Sequence, residues 1–209
     1  KHNAQKNHKD RLFILLGFTI IGILFLLYSR MHDFSITPDS LQSVERLAIS
    51  FYVLLLLSFI AIAYGLYRYH QRKMMENLSN ILSVIASTTW NNKSRKIFVV
   101  VFISYGMFFA FTSGIIVYQP DVMFSYHYDA IIPSAHLNSC CGEPGYMPEI
   151  IVYLSEHVGL QIIPINLVLV VVVSYLVGLN TSLAINAISI TKKGGGLNSI
   201  GAITGLFIA

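Results

Sequence analysis

The chain has 209 residues, 55% hydrophobic and only 11% charged, with a mean hydropathy of +0.64. Soluble domains carry about 25% charged residues, so a water-soluble fold of this size is excluded: too little charge is present to cover its apolar surface. The formal net charge is +4, but the lysines and arginines sit beside apolar runs as membrane-flanking charge does, and no nucleic-acid partner is expected.

Residues 1–11 (KHNAQKNHKDR) form a basic polar tail. An uninterrupted apolar run follows at 12–28 and reaches about 25 Å as a helix, the short end of a bilayer span. It is longer than the apolar core of a signal peptide, and SRMHDF is no small-residue cleavage site, so it reads as a retained first helix. Residues 30–46 connect to the second span at 47–67. Thr37, Pro38 and Asp39 mark the helix start by capping hydroxyl, first-turn proline and acid. Tyr64, Tyr67 and Tyr69 fall where amphipathic rings favour the headgroup level. The connector 68–96 is the most basic portion, with six lysines and arginines against Glu76. Met74, Leu78, Ile81, Leu82 and Ile85 recur at helical spacing, which predicts either an extension of the second helix or a surface helix.

The third span, 97–118, places Gly106, Ala110 and Gly114 four apart, a small-residue face that lets another backbone approach closely. The fourth span, 162–190, carries Asn166 and a more polar second half with Asn180 and Asn186, which should face other helices or a wet cavity. After the Lys192–Lys193 turn, SIGAITGLFIA begins a fifth apolar run with Gly201 and Gly205 in GxxxG spacing. It is too short to cross a membrane, so the span is expected to continue past Ala209. Together these runs predict an all-α integral membrane protein. It would be a helical bundle of four full transmembrane helices plus the start of a fifth, with spans 1–3 in 12–118, and the fourth and truncated fifth in 162–209.

Twelve of the 14 lysines and arginines fall in the tail, the 68–96 connector and the 192–193 turn. Alternating spans put all three on one side, which predicts a multi-pass protein of the cell membrane with a cytoplasmic N-terminus and an extracytoplasmic loop at 119–161. No transporter-like repeat and no ionisable run inside a span is present.

That loop is long for a connection without function. It is rich in Cys, His and Tyr and contains no lysine or arginine. Pro148, the apolar set Ile150, Ile151, Leu154 and Val158, and Gly159 predict a short amphipathic helix lying on the outer membrane surface. Pro133, Gly142, Pro144 and Gly145 make the first half turn-rich. His127, Asp129, His136, Cys140 and Cys141 combine imidazole, carboxylate and thiol, a donor set that suits copper or zinc, although the spacing matches no specific metal motif. Two other readings stand beside it. Cys140 and Cys141 form a vicinal or external disulfide in an oxidising compartment, or the histidines hydrogen-bond a folded loop around buried thiols.

No catalytic motif is present: no nucleophile elbow, H-E-x-x-H, P-loop or dinucleotide fingerprint, and no enzyme activity is expected. Membrane copper monooxygenases carry an aspartate followed by two histidines at helical spacing inside a span. Asp129 and His136 lie in a loop at another spacing, so that ligand motif is absent. Size and topology instead fit a non-catalytic accessory or structural subunit of a larger membrane complex, such as a copper monooxygenase or respiratory oxidase. Its partners would be the lipid bilayer and other membrane subunits. The alternative is a stand-alone membrane protein that handles copper or zinc, or a thiol-redox protein.

Overall fold

The computed structural model describes residues 2–29, 38–75, 85–86, 91–138, 146 and 148–193. In chain order the elements are α1 (His2–Ser29), α2 (Pro38–Met75), α3 (Asn92–Thr112), β1 (Ile116–Tyr118), α4 (Phe124–His127), β2 (Ser134–Asn138), β3 (Glu149–Tyr153), β4 (Val158–Ile162) and α5 (Pro164–Lys193). Four helical segments are long and apolar enough to cross a membrane: Asp10–Ser29, Ser43–Lys73, Asn92–Thr112 and Pro164–Asn186. The expected tail at 2–11 is the first three turns of α1, and 68–75 of the expected connector prolongs α2. The run that would begin a fifth span, with Gly201 and Gly205, lies outside the described residues, as does most of 76–90.

The chain divides into two compact units, 1–67 with 109–170, and 68–108 with 171–209. In the first, α1 and α2 lie antiparallel at close range. A Cβ on Gly17 would stand 2.5 Å from Ile62 Cγ1, and one on Gly65 would stand 2.7 Å from Ile14 Cγ1 and 3.1 Å from the Asp10 carbonyl. Glycine is required at both crossings because any side chain would force the helices apart. Phe13 and Tyr64 meet edge to face at 5.6 Å beside this contact.

In the second unit α3 and α5 run antiparallel. Ser182 Oγ donates to the Ser94 carbonyl at 3.1 Å, and Phe98 and Tyr175 meet edge to face. A Cβ on Gly106 would meet the Ser174 side chain, its Oγ at 3.3 Å, with no backbone atom of α5 within 4 Å. The expected small-residue face does not extend to Gly114. The helix ends at Thr112, and Gly114 takes φ +76 with no neighbour within 4 Å of its Cβ position. It is a left-handed residue just beyond the helix end, a conformation that glycine reaches without a Cβ penalty.

The largest departure from the expected all-α fold is a sheet. Four antiparallel strands in the order β1-β4-β3-β2 occupy 116–162, inserted between α3 and α5. The end of the expected third span, 116–118, is β1, and the expected surface helix at 148–159 is the hairpin β3–β4. The segment EIIVY is rich in β-branched and aromatic residues, which favour a strand, and Pro148 precedes β3 without breaking its ladder.

Register sorts the sheet into two faces. Leu137, Ile150 and Ile162 are mutual partners across β2, β3 and β4. They pack against the buried cluster Leu24, Phe51, Tyr52 and Leu55 of α1 and α2. His136, Ile151 and Gln161 form the adjacent row and therefore face the opposite way. One face of the sheet thus sits on the helical hairpin, and the other is turned away from it. The Tyr52 hydroxyl fixes this seat, its proton shared between the carbonyls of Pro148 at 2.6 Å and Ile162 at 2.8 Å.

Candidate functional site

The face turned away from the helices carries the chemistry. Across it run Ser134, His136 and Asn138 of β2, Glu149, Ile151 and Tyr153 of β3, Gly159 and Gln161 of β4, and Val117 of β1. Helix α4 lies over part of this face. The Phe124 ring covers Gly159, where a Cβ would come within 3.4 Å of it, and packs against Tyr153 at 5.2 Å between centroids. Phe124 is almost fully buried.

A set of polar contacts clamps the chain between β1 and α4 to the β3–β4 turn. The Phe124 amide donates to the Glu156 carbonyl at 2.9 Å. Glu156 Oε2 accepts from the Ser125 hydroxyl at 2.7 Å and from its amide at 3.2 Å. Those two donors, the hydroxyl first, hold the Glu156 carboxyl below the usual carboxylate range, because both favour the charged form.

His157 completes the clamp. Its Nδ1 lies 3.1 Å from the Gln119 carbonyl and 2.9 Å from the Val122 carbonyl. Carbonyl oxygens only accept, so Nδ1 must carry the proton. The Gln119 amide returns a bond to the His157 carbonyl at 2.9 Å.

Between this clamped segment and the sheet lies a half-open cleft of about 290 Å³, with Gln119, Phe124, Tyr128, Tyr153 and Gln161 among its walls. Gln161 Nε2 donates in a short bond to Glu149, which is buried. That commits one of the two N–H groups of the amide. Gln119 Oε1 is buried without a hydrogen-bond partner.

The residues expected to bind metal are placed as follows. His127 ends α4 and meets Tyr128 edge to face at 4.9 Å, Asp129 follows with φ +52, and His136 lies on β2 against Tyr153 at 5.6 Å. All three are exposed. Among the described residues no three His, Cys, Asp or Glu side chains gather as a metal site. Cys140 and Cys141 lie outside the described residues.

Gln119, Phe124 and Gln161 were not singled out by the sequence reading. Only Gln161 is set by strand register, while Gln119 and Phe124 reach the same face through the segment clamped by Glu156 and His157. Asn166, expected to find a helix partner, donates from Nδ2 to the Ser113 carbonyl at 2.9 Å at the end of α3. Asn180 is exposed on α5.

The apolar groups of this region are not all covered. On α4 and the residues that follow, Tyr126 is 90% exposed and Ile131 80%, and Met123 and Tyr128 are more than half exposed. The chain matches no protein-family model, no curated protein and no solved structure.

Proposed function

We propose that the chain is a non-catalytic accessory subunit of a membrane complex. Four helices anchor it, and the sheet with its clamped α4 forms a platform for a partner protein outside the membrane. The observation that carries this reading is the exposure of Tyr126 and Ile131 on a segment held in place by hydrogen bonds. Large apolar side chains kept in water on an ordered backbone mark an interaction surface, and tyrosine is enriched where interfaces concentrate their energy. The bilayer is a poor occupant for this surface. The sheet's other face packs on α1 and α2, so α4 is on the side turned away from that helical hairpin. Tyr118 shares the helix-facing side with Val158 and is 64% exposed, which supports a headgroup contact for its ring on this reading.

Charge supports the orientation. Twelve of the 14 lysines and arginines fall in residues 1–11, 68–96 and 192–193, and none lies between Ile97 and Thr191. The N-terminus is accordingly cytoplasmic and the platform extracytoplasmic. Gentle purification from native membranes tests the reading. The wild-type chain should bring a defined set of subunits, and a Tyr126→Ser/Ile131→Ser variant, inserted at the same level, should lose them. A wild type that purifies alone under every mild condition overturns it.

A further inference from the structure

The cleft between α4 and the sheet is lined by two carboxamides beside the Tyr128 and Tyr153 side chains. Gln161 donates one N–H to Glu149, and Gln119 Oε1 is a buried acceptor with no partner. The remaining walls include three aromatic rings, whose faces are electron-rich: Phe124, Tyr128 and Tyr153. Phe124 stands 6.0 Å from Tyr128 and 5.2 Å from Tyr153, with both pairs tilted, so the rings present different orientations to one space. Beyond the walls the charges are anionic. Glu149 lies two residues from Ile151 on the same strand face, and Glu156 holds the clamp. No lysine or arginine occurs from Ile97 to Thr191 to oppose a cation.

Acceptor oxygens, aromatic faces and neighbouring carboxylates favour the same ligand chemistry, a positively charged group with N–H donors. We propose that the cleft binds a small protonated primary amine, an alkylammonium of a few carbons. Its N–H groups bond the carbonyl oxygens of Gln119 and Gln161, and its carbons lie against Phe124, Tyr128 and Tyr153. An anion would be repelled by the neighbouring Glu149 and Glu156 carboxylates, and a neutral apolar molecule would leave Gln119 Oε1 unpaired, which costs affinity. A volume of about 290 Å³ is at the lower limit for ligand pockets and fits a compact molecule. On the reading that sets α4 away from the bilayer the ammonium group comes from a free amine, and an ethanolamine lipid headgroup is the other source of the same chemistry.

Calorimetric titration of the full chain in phosphatidylcholine nanodiscs tests the proposal, with butylammonium as the probe. Saturable one-to-one binding is expected. Butanol, which keeps the chain length and loses the charge, should bind at least tenfold more weakly, and tetramethylammonium, which keeps the charge and loses the N–H groups, should also weaken. Gln119→Lys places an ammonium in the cleft from the protein itself and should abolish binding. Gln161→Leu should weaken it by about tenfold or more, as loss of a hydrogen bond to a charged group does. Protection of β3 and β4 amides, measured in parallel, verifies that each variant is folded. Repeating the titration in phosphatidylethanolamine nanodiscs separates the sources. Competition there identifies the lipid headgroup, and an unchanged isotherm identifies a free amine. Equal affinity for butanol and butylammonium, full binding by a folded Gln119→Lys variant, or no saturation by wild type each overturns the proposal.

Discussion

Replacing Tyr52 by phenylalanine removes one oxygen atom and leaves the ring, its edge-to-face contact with Phe51 and the surrounding packing in place. The hydroxyl is buried and serves two carbonyls, Pro148 at 2.6 Å on entry to β3 and Ile162 at 2.8 Å at the end of β4. It is the polar link between α2 and both strands of the hairpin. A net hydrogen bond contributes about 1 kcal/mol, and leaving a buried acceptor without its donor costs about 1–3 kcal/mol. One proton is shared between the two carbonyls, so the contributions do not add fully, and about 2 kcal/mol is expected. Each 1.4 kcal/mol is a factor of ten, which makes undocking of the sheet about 30-fold more frequent. Hydrogen exchange in nanodiscs reads this directly, because amides that exchange through local opening accelerate by the change in the opening equilibrium. Amides of β3 and β4 should exchange about 30-fold faster in Tyr52→Phe, while those of α5 beyond Val171 stay unchanged. Ser58→Ala serves as control, since its hydroxyl bonds only to the Leu54 carbonyl of its own helix. Equal protection of β3 and β4 in wild type and Tyr52→Phe would refute the seat described for the sheet.

Gly65→Ala should separate α1 from α2 and lower stability by about 1–3 kcal/mol, as overpacking does, in thermal unfolding in detergent. Gly22→Ala, with nothing within 4 Å of its Cβ position, should be neutral by the same measurement. At Gly114 the obstacle is the positive φ rather than crowding, so Gly114→Asn should unfold close to wild type and Gly114→Val at a clearly lower temperature; equal losses would indicate packing instead. Because Glu156 has a lowered folded value, its ionised form stabilises the clamp at neutral pH, and that contribution falls away as pH drops below the ordinary 4.5 and through the folded value. Exchange of the amides of α4 should therefore separate wild type from Glu156→Gln at pH 7, with the difference vanishing in acid; a pH-independent difference would show that the charge is not what holds the loop.

The sequence determined that the chain has segments long and apolar enough to cross a membrane, because length and hydropathy are sums over neighbouring residues, needing no tertiary contact. Four spans were legible for that reason, and so was the helix start at Pro38. The crossings at Gly17 and Gly65 were not, because each depends on which residue of the facing helix stands opposite.

Only the tertiary structure decided that 116–162 is a sheet. A strand with one face in water alternates apolar and polar residues. β3 instead has the helical hairpin on one side and the aromatic layer under α4 on the other, so Ile150, Ile151, Val152 and Tyr153 are apolar or aromatic in succession. That run, with Pro148 before it and Gly159 after it, satisfies a helical pattern equally well. The choice between them rests on long-range partners: the Tyr52 hydroxyl, the pairing of β3 with β2 and β4, and the Phe124 ring over Gly159. The candidate site shares this origin. Gln119, Phe124, Tyr153 and Gln161 are separated in sequence and become neighbours only when strand register turns alternate residues to one face and the Glu156–His157 clamp lays α4 across it.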